Sequence, residues 1–152
     1  ITGIAGRLGF SVISVEKAMM NGEVGFGRKV LQAVEEFGLS FEHMPTGIDT
    51  MCVVLSTAEL EPVKEQLTRR IWETTNPDTL TIHDNMGIIA TVGRGMVHNP
   101  GTAARLFTAL SRYHINVRMI DQGSSELSIL VGVDSGEFQQ AILAIYDEFV
   151  SE

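Results

Sequence analysis

The stretch MNGEVGFG, residues 20–27, decides how the chain is organised. It follows residues 10–15, an apolar run that alternates as a strand does, and it leads into residues 29–37, whose apolar side chains recur at helical spacing. A glycine-broken turn that opens a helix presents unpaired backbone N–H groups at the positive end of the helix dipole. The stretch is therefore either a simple connection or a binding site for a small anion such as a carboxylate.

The same arrangement returns at residues 96–102, MVHNPGT, and the order of the predicted elements returns with it. From residue 10 onward, hydrophobic periodicity predicts strand, helix, strand, strand, helix and strand, which is the ferredoxin-like βαββαβ unit. Its strands are predicted at residues 10–17, 39–44, 50–56 and 79–83, and its helices at 25–37 and 60–72. In the second half, strands are predicted at 87–93, 115–122 and 126–133, and helices at 101–113 and 135–150.

A constant shift of 76 residues relates the two halves, since 101 − 25 = 76 pairs Gly25 with Gly101. The same shift, applied without a gap, pairs Met20 with Met96, Glu42 with Arg118, Met51 with Leu127 and Val53 with Ile129. A correspondence that regular indicates an internal duplication.

The second half lacks the last strand of its unit, and a strand-like segment at residues 1–5 has no unit of its own. Because unpaired strand edges are costly, we expect this segment to take the place of the missing strand. The predicted domains are residues 10–84 and residues 1–5 plus 86–152, with the first domain inserted into the second. Since the chain begins at Ile1 without an initiator methionine, we expect it to be part of a longer protein.

Charge and composition argue against several kinds of function. The net charge is −8 without a basic stripe, which disfavours nucleic acid as a partner, and no apolar run is long enough for a membrane helix. Cys52 is the single cysteine and lies in an apolar run, so we expect no disulfides and a cytoplasmic location. The four histidines lack metal-ligand spacing, and no nucleotide, cofactor or nucleophile motif occurs. We therefore expect a non-catalytic chain without metal or cofactor.

Three segments carry a resemblance to a known family. They are residues 12–26, residues 39–49, which read LSFEHMPTGID, and residues 116–133, which read NVRMIDQGSSELSILVGV. Through them the chain resembles the tandem ACT domains at the C-terminus of aspartate kinases. The resemblance implies an α+β fold of two ferredoxin-like βαββαβ ACT domains, the first inserted into the second, which pair into larger sheets. It also implies a homodimer through the ACT domains, a kinase domain in the full-length chain, and allosteric feedback control of aspartate-family amino-acid biosynthesis.

The resemblance further implies an amino-acid effector at the interface of paired ACT units, held by the strand-to-helix turn and the strand that follows. The matching positions are Met20, Glu23, Val24, Gly25, Phe26, Gly27, Phe41, Glu42, Thr46, Gly47, Ile48 and Asp49, with Asn116 and Val117 contributed by a partner's second unit. Where the family often has Thr-Ser-Glu, this chain has Thr-Gly-Ile, and Asp49 is expected to supply the displaced charge.

Glu42 directs the choice of effector. Its strand is expected to neighbour the first strand of the sheet, which would place the carboxylate near the Gly25 turn. N–H groups for a carboxylate, together with a side-chain carboxylate for an ammonium group, define an amino-acid site. In lysine-inhibited members of the family, an acidic residue at the matching position faces the effector's amine, so lysine is the expected effector. A threonine effector and a ligand-free dimerisation scaffold are the alternatives.

Overall fold

Five strands and five helices follow one another in the described part of the chain, residues 1–96, 98–124 and 127–150 of the computed structural model. The strands are β1 (Gly3–Glu16), β2 (Thr50–Ser56), β3 (Thr79–Val92), β4 (Met119–Asp121) and β5 (Ser128–Asp134). The helices are α1 (Phe26–Glu36), α2 (Thr57–Leu60), α3 (Lys64–Thr75), α4 (Thr102–Arg112) and α5 (Phe138–Phe149). Short 3-10 turns cover Met20–Gly22, Glu61–Val63 and Ser135–Glu137. The α+β class is confirmed, and none of the helices in the described residues is long and apolar enough to cross a bilayer.

Contacts divide the chain into two compact units, whose boundaries fall inside β1 and β3. One, the continuous unit, is Gly9–Asp84. The other, the split unit, is Ile1–Leu8 together with Asn85–Glu152. The predicted strands at residues 1–5 and 10–17 are thus two parts of β1, which contributes to both units.

The continuous unit is a three-stranded sheet that packs against α1 and α3. Its strand order is β2-β1-β3, and β1 pairs antiparallel with β2 from Phe10 opposite Ser56 to Glu16 opposite Thr50. Because side chains alternate along a strand, every second residue of β1 and β2 points toward the helices. The core they build includes Ile13, Val15, Val30, Val34, Val53, Leu55, Leu67 and Ile71, each at most 2% exposed.

The split unit repeats this packing with α4 and α5. Its strand order is β1-β3-β5-β4, and β3 pairs antiparallel with β5 from Met86 opposite Asp134 to Val92 opposite Ser128. Its core includes Ile89, Leu106, Leu110, Ile129, Val131, Val133, Ala141, Ala144 and Ile145, each at most 1% exposed.

The two units repeat the same elements, but the shift between them is not constant. β1 and β3 differ by 79 − 3 = 76 residues, and α1 and α4 by 102 − 26 = 76, as predicted. However, β2 and β5, which share one burial pattern, differ by 128 − 50 = 78, and α3 and α5 by 138 − 64 = 74. The predicted pairing of Met51 with Leu127 and Val53 with Ile129 is therefore wrong, because the structure matches these residues with Ile129 and Val131. The connection before β5 is two residues longer than the one before β2, and the connection after it is four residues shorter.

The predicted strand at residues 39–44 is not formed. This segment and the turn after it make only isolated bridges to β2, with His43 opposite Val54 and Thr46 opposite Met51. Pro45 between them has no N–H to donate to a ladder, so a regular strand cannot continue through it. In the split unit the predicted strand at residues 115–122 is likewise reduced to the three residues of β4.

Candidate functional site

The turn after β1 is anchored at both ends and exposed at its tip. Met20 and Phe26 are each 3% exposed in the core of the continuous unit, whereas Val24 between them is 97% exposed. Gly25 caps α1 with a φ of 85°, a left-handed conformation that glycine adopts without strain. Two buried side chains therefore fix a short loop whose tip lies in solvent.

Four backbone N–H groups of this turn are open to a ligand. Among the described residues, none accepts a hydrogen bond from the N–H of Val24, Gly25, Gly27 or Arg28. The first N–H groups of an α-helix have no intrahelical acceptor and lie at the positive end of its dipole. Together they can bind the carboxylate of a small molecule.

A second turn, residues 45–50, packs directly against the first. The Asn21 N–H donates to the Ile48 carbonyl at 3.2 Å, and the Met19 N–H donates to Asp49 Oδ1 at 2.9 Å. The structure thus brings the predicted residues of the two turns together, including Thr46 and Gly47, which are exposed. The carboxylate of Asp49 accepts a hydrogen bond from a backbone N–H and so holds the two turns together. The sequence had instead predicted that this carboxylate supplies a charge that contacts the ligand.

Glu42 is not near the Gly25 turn within one chain, contrary to the prediction. Its N–H donates to the Val54 carbonyl at 2.8 Å, and Val54 pairs on its other side with Val12 of β1. β2 therefore lies between Glu42 and β1, because the hairpin through Pro45 places consecutive segments side by side. Moreover, Val12 is four residues before the end of β1, so Glu42 lies roughly 13 Å along the sheet from the start of the turn.

Phe41 also lies apart from the two turns, and Asn116 and Val117 belong to the other unit. Phe41 is 44% exposed and lines a groove with the C-terminal end of α1. Asn116 and Val117 belong to the split unit, where the Asn116 N–H donates to Glu137 Oε2 at 3.1 Å and Val117 packs against the core. Arg118, the counterpart of Glu42, pairs with Asp134 at 3.1 Å.

Two lysines beside the turn were missed by sequence reasoning. Lys17 Nζ lies 3.3 Å from both carboxylate oxygens of Glu23, and Lys29 Nζ lies 3.8 Å from Glu23 Oε1. The Lys17 N–H also donates to the Asp49 carbonyl at 2.9 Å, which ties it to the second turn. The sequence pattern that could have identified them is one lysine on each side of the glycine-rich stretch. Two ammonium groups against the one carboxylate of Glu23 leave a net positive charge beside the turn, which favours an anionic ligand.

A second polar cluster lies where β1 and β3 meet α3 in the continuous unit. Ser11, fully buried, donates to Asp84 Oδ1 at 2.6 Å, and Lys64 Nζ lies 2.6 Å from Asp84 Oδ2. The Thr57 hydroxyl lies 2.8 Å from Ser11 Oγ and donates to it, since the one proton of Ser11 is committed to Asp84. The hydrogen bond from Lys64, followed by that from Ser11, lowers the pKa of Asp84, and the bond to Asp84 raises the pKa of Lys64.

Asp84→Asn is expected to lower the free energy of unfolding by about 1 kcal/mol at pH 7, a value reduced for the partial exposure of the pair. A carboxyl group whose pKa is lowered by folding stabilises the folded state at pH values above its unfolded-state pKa. This stabilisation is lost as the pH falls through the folded-state pKa. The cost should therefore shrink as the pH falls below the ordinary aspartate range, which urea unfolding at pH 7 and pH 3 measures. The control Asp134→Asn, in the exposed pair with Arg118, should change less. An equal cost of Asp84→Asn at both pH values would contradict the assignment.

Comparison with known proteins relates the chain to one family. Residues 89–149, in the split unit, match the family model of the ACT domain. Aspartokinase 3 of Bacillus subtilis (strain 168) is 42% identical over 150 residues, which cover 98% of this chain and 33% of that protein. The crystal structure of Clostridium acetobutylicum aspartate kinase superposes with a TM-score of 0.93 and 48% identity, covering 98% of this chain and 34% of the other. The chain belongs to the ACT regions of aspartate kinases.

This ACT region spans about one third of the length of the two relatives it matches. The regulatory subunit of aspartate kinase from Thermus thermophilus, solved in a ligand-free form, has a TM-score of 0.82 and 23% identity. That likeness covers 98% of this chain and 97% of the subunit, and it shows a shared fold.

Proposed function

We propose that this ACT region binds lysine at the turn of residues 20–27 and thereby regulates an aspartate kinase of which it is part. The observation that carries the proposal is the anchored turn, whose open N–H groups lie beside Lys17 and Lys29. A carboxylate on these donors gains charge-assisted hydrogen bonds, which are about twice as strong as neutral ones. The regulated reaction is phosphorylation of L-aspartate by ATP, the first step of aspartate-family biosynthesis.

The ammonium end of lysine is assigned to Glu42, supplied by a second copy of the chain. Within one chain Glu42 lies on the far side of β2 from the turn, so one copy alone does not supply both ends of the ligand. The segment around Glu42 lies next to β2 at the edge of the continuous unit, where another copy can pair with it. A homodimer through its ACT domains then completes the site with residues 41–42 and 116–117.

The domain organisation is part of the same proposal. Residues 10–84 form one ACT domain, which is inserted into a second formed by residues 1–5 and 86–152. The match of residues 89–149 to the ACT model supports the second domain. The repeated element order, and the common burial pattern of β2 and β5, support the first. Because the single cysteine, Cys52, is half-buried beside Ser14 and has no disulfide partner, we place the protein in the reducing cytoplasm.

The energy that regulation needs is small. A coupling of about 1–3 kcal/mol between the effector and the kinase changes affinity roughly 5–150-fold. Lysine binding to one arrangement of a dimer in preference to another supplies such a coupling.

Calorimetric titration of the 152-residue chain with lysine, threonine and methionine tests the proposal. Heat is expected from lysine, and Glu42→Gln should weaken lysine binding at least about tenfold because the ammonium group loses its partner. Glu65→Gln, an exposed change of the same charge on α3, serves as the control and should leave binding unchanged. Threonine binding that survives Glu42→Gln would favour the threonine alternative. A folded dimer that gives no heat with any of the three would refute effector binding.

A further inference from the structure

The ammonium group of Lys17 occupies a cation site made by the chain itself. Its Nζ donates to the Thr75 carbonyl at 2.8 Å, lies 3.3 Å from both Glu23 oxygens, and is 5.9 Å from the centre of the Phe26 ring. Thr75 is 1% exposed at the end of α3, so the carbonyl offers a fixed acceptor. A carboxylate, a carbonyl and an aromatic face together hold the ammonium group in one position.

Glu23 is the anionic side chain next to the open donors of the turn. It directly precedes Val24 and Gly25, whose N–H groups have no acceptor among the described residues. Carboxylates are attracted to such donors, because acidic side chains near a helix start bind its first N–H groups. In the structure, Glu23 is instead engaged by Lys17, with Lys29 at 3.8 Å. An unpaired Glu23 would occupy the donors or repel the carboxylate of a ligand.

We propose that Lys17 is a positioning residue that sets the affinity of the turn for its amino-acid ligand by holding Glu23 away from the N–H donors. The inference rests on the proposed function, since it concerns the same ligand carboxylate. It gives Lys17 a role beyond its structural tie to Thr75, and the two roles are separable by changing Glu23.

The split unit provides a matched control, because its sequence has no lysine–glutamate pair at the positions equivalent to Lys17 and Glu23. The positions equivalent to Lys17 and Glu23 are Gly93 and Asn99, since 93 − 17 and 99 − 23 both equal 76. There the end of α5 is held by Arg105, which donates to Glu148 Oε1 at 2.8 Å and to the Glu148 carbonyl at 3.0 Å. Arg105→Met therefore removes a cation from a helix end without affecting the pair at residues 17 and 23.

Lysine affinity of the 152-residue chain, measured by calorimetry, tests the inference with four variants. Lys17→Met should weaken binding about tenfold, because the carboxylate of Glu23 is released. Lys17→Arg should bind within about threefold of wild type, and so should Lys17→Met/Glu23→Gln, since the released charge is then absent. Arg105→Met should lower the melting temperature and leave the affinity unchanged.

The outcomes separate this inference from the proposed function. Wild-type binding by Lys17→Met would overturn the inference alone. A double variant as weak as Lys17→Met would show that Lys17 acts only through Thr75, which also overturns it. If Lys17→Met does not fold by circular dichroism, Glu23→Gln decides: it should bind lysine at least as tightly as wild type, and weaker binding contradicts the inference. Absence of lysine binding by the wild-type chain refutes both proposals.

Discussion

Ile71→Ala is expected to lower the free energy of unfolding by about 2–5 kcal/mol, the largest loss of stability that we predict. Ile71 is fully buried in α3 and packs in the core of the continuous unit. Removal of its side chain leaves a cavity that the neighbouring strands cannot fill, because protein cores are close-packed. The loss is measured by urea unfolding, followed by circular dichroism.

The effect of Ile71→Ala should also reach the ligand site. The Ile71 carbonyl accepts a hydrogen bond from the Thr75 hydroxyl at 2.8 Å, and the Thr75 carbonyl accepts one from the ammonium group of Lys17. Ile145 is the equivalent residue of the split unit, since 145 − 71 = 74, and it is equally buried. Ile145→Ala should therefore lose similar stability yet keep the lysine affinity of the wild type. Equal losses of affinity in the two variants would contradict the placement of the ligand in the continuous unit.

Gly25→Val is expected to weaken lysine binding at least about tenfold, a loss as large as that expected of Glu42→Gln. Gly25 has a φ of 85°, and a β-branched residue in this region is a strained outlier that costs about 1–2 kcal/mol or more. Within the described part of the chain, a Cβ at this position would meet only Arg28 Nε, at 3.9 Å, so the effect is on the backbone conformation and not on packing. Relief of the strain turns the N–H groups of the loop away from the ligand.

Gly101 provides the control for this change. It caps α4 with a φ of 93°, and a Cβ there meets no atom of the described residues within 4 Å. Gly101→Val should therefore cost the same stability in thermal unfolding and leave lysine affinity within about threefold of wild type. An affinity loss in Gly101→Val as large as in Gly25→Val would show that the effect is general destabilisation.

The helices and strands whose formation depends on residues close in sequence could be predicted from the sequence. β2 was predicted with its observed bounds, and both long helices after a glycine turn were predicted within a few residues. Gly25 and Gly101 mark the starts of α1 and α4 because each adopts a left-handed conformation that other residues avoid. Hydrophobic periodicity then identified the faces that became buried.

The order of the strands and the ionic contacts could not be predicted in the same way. The position of Glu42 depends on which strand lies beside β2, and Lys17 meets Thr75 only through the fold, 58 residues along the chain. The prediction of a constant 76-residue shift between the two halves was wrong because the connections on either side of β2 and β5 differ in length. The spacing of the elements within one half does not reveal such a difference. Such features depend on contacts between residues that are distant in sequence.

The two units also differ in what fills equivalent places. Ser11, Lys64 and Asp84 form an ionic cluster in the continuous unit. The equivalent positions in the split unit are Gly87, Phe138 and Leu8, and a Cβ on Gly87 would lie 2.5 Å from the Phe138 ring. One unit thus uses hydrogen-bonded charges where the other uses close apolar packing, which shows how far the two halves have diverged on a common frame.

The central claim, that lysine binds at the turn after β1, is tested most directly by amide NMR of the ¹⁵N-labelled 152-residue chain during titration with lysine. The amide signals of Val24, Gly25 and Gly27 should move and saturate together, because their N–H groups gain a carboxylate acceptor. Those of Gly101 and Thr102 should stay in place. Movement confined to Gly101 and Thr102, or no movement at any lysine concentration, would contradict the account.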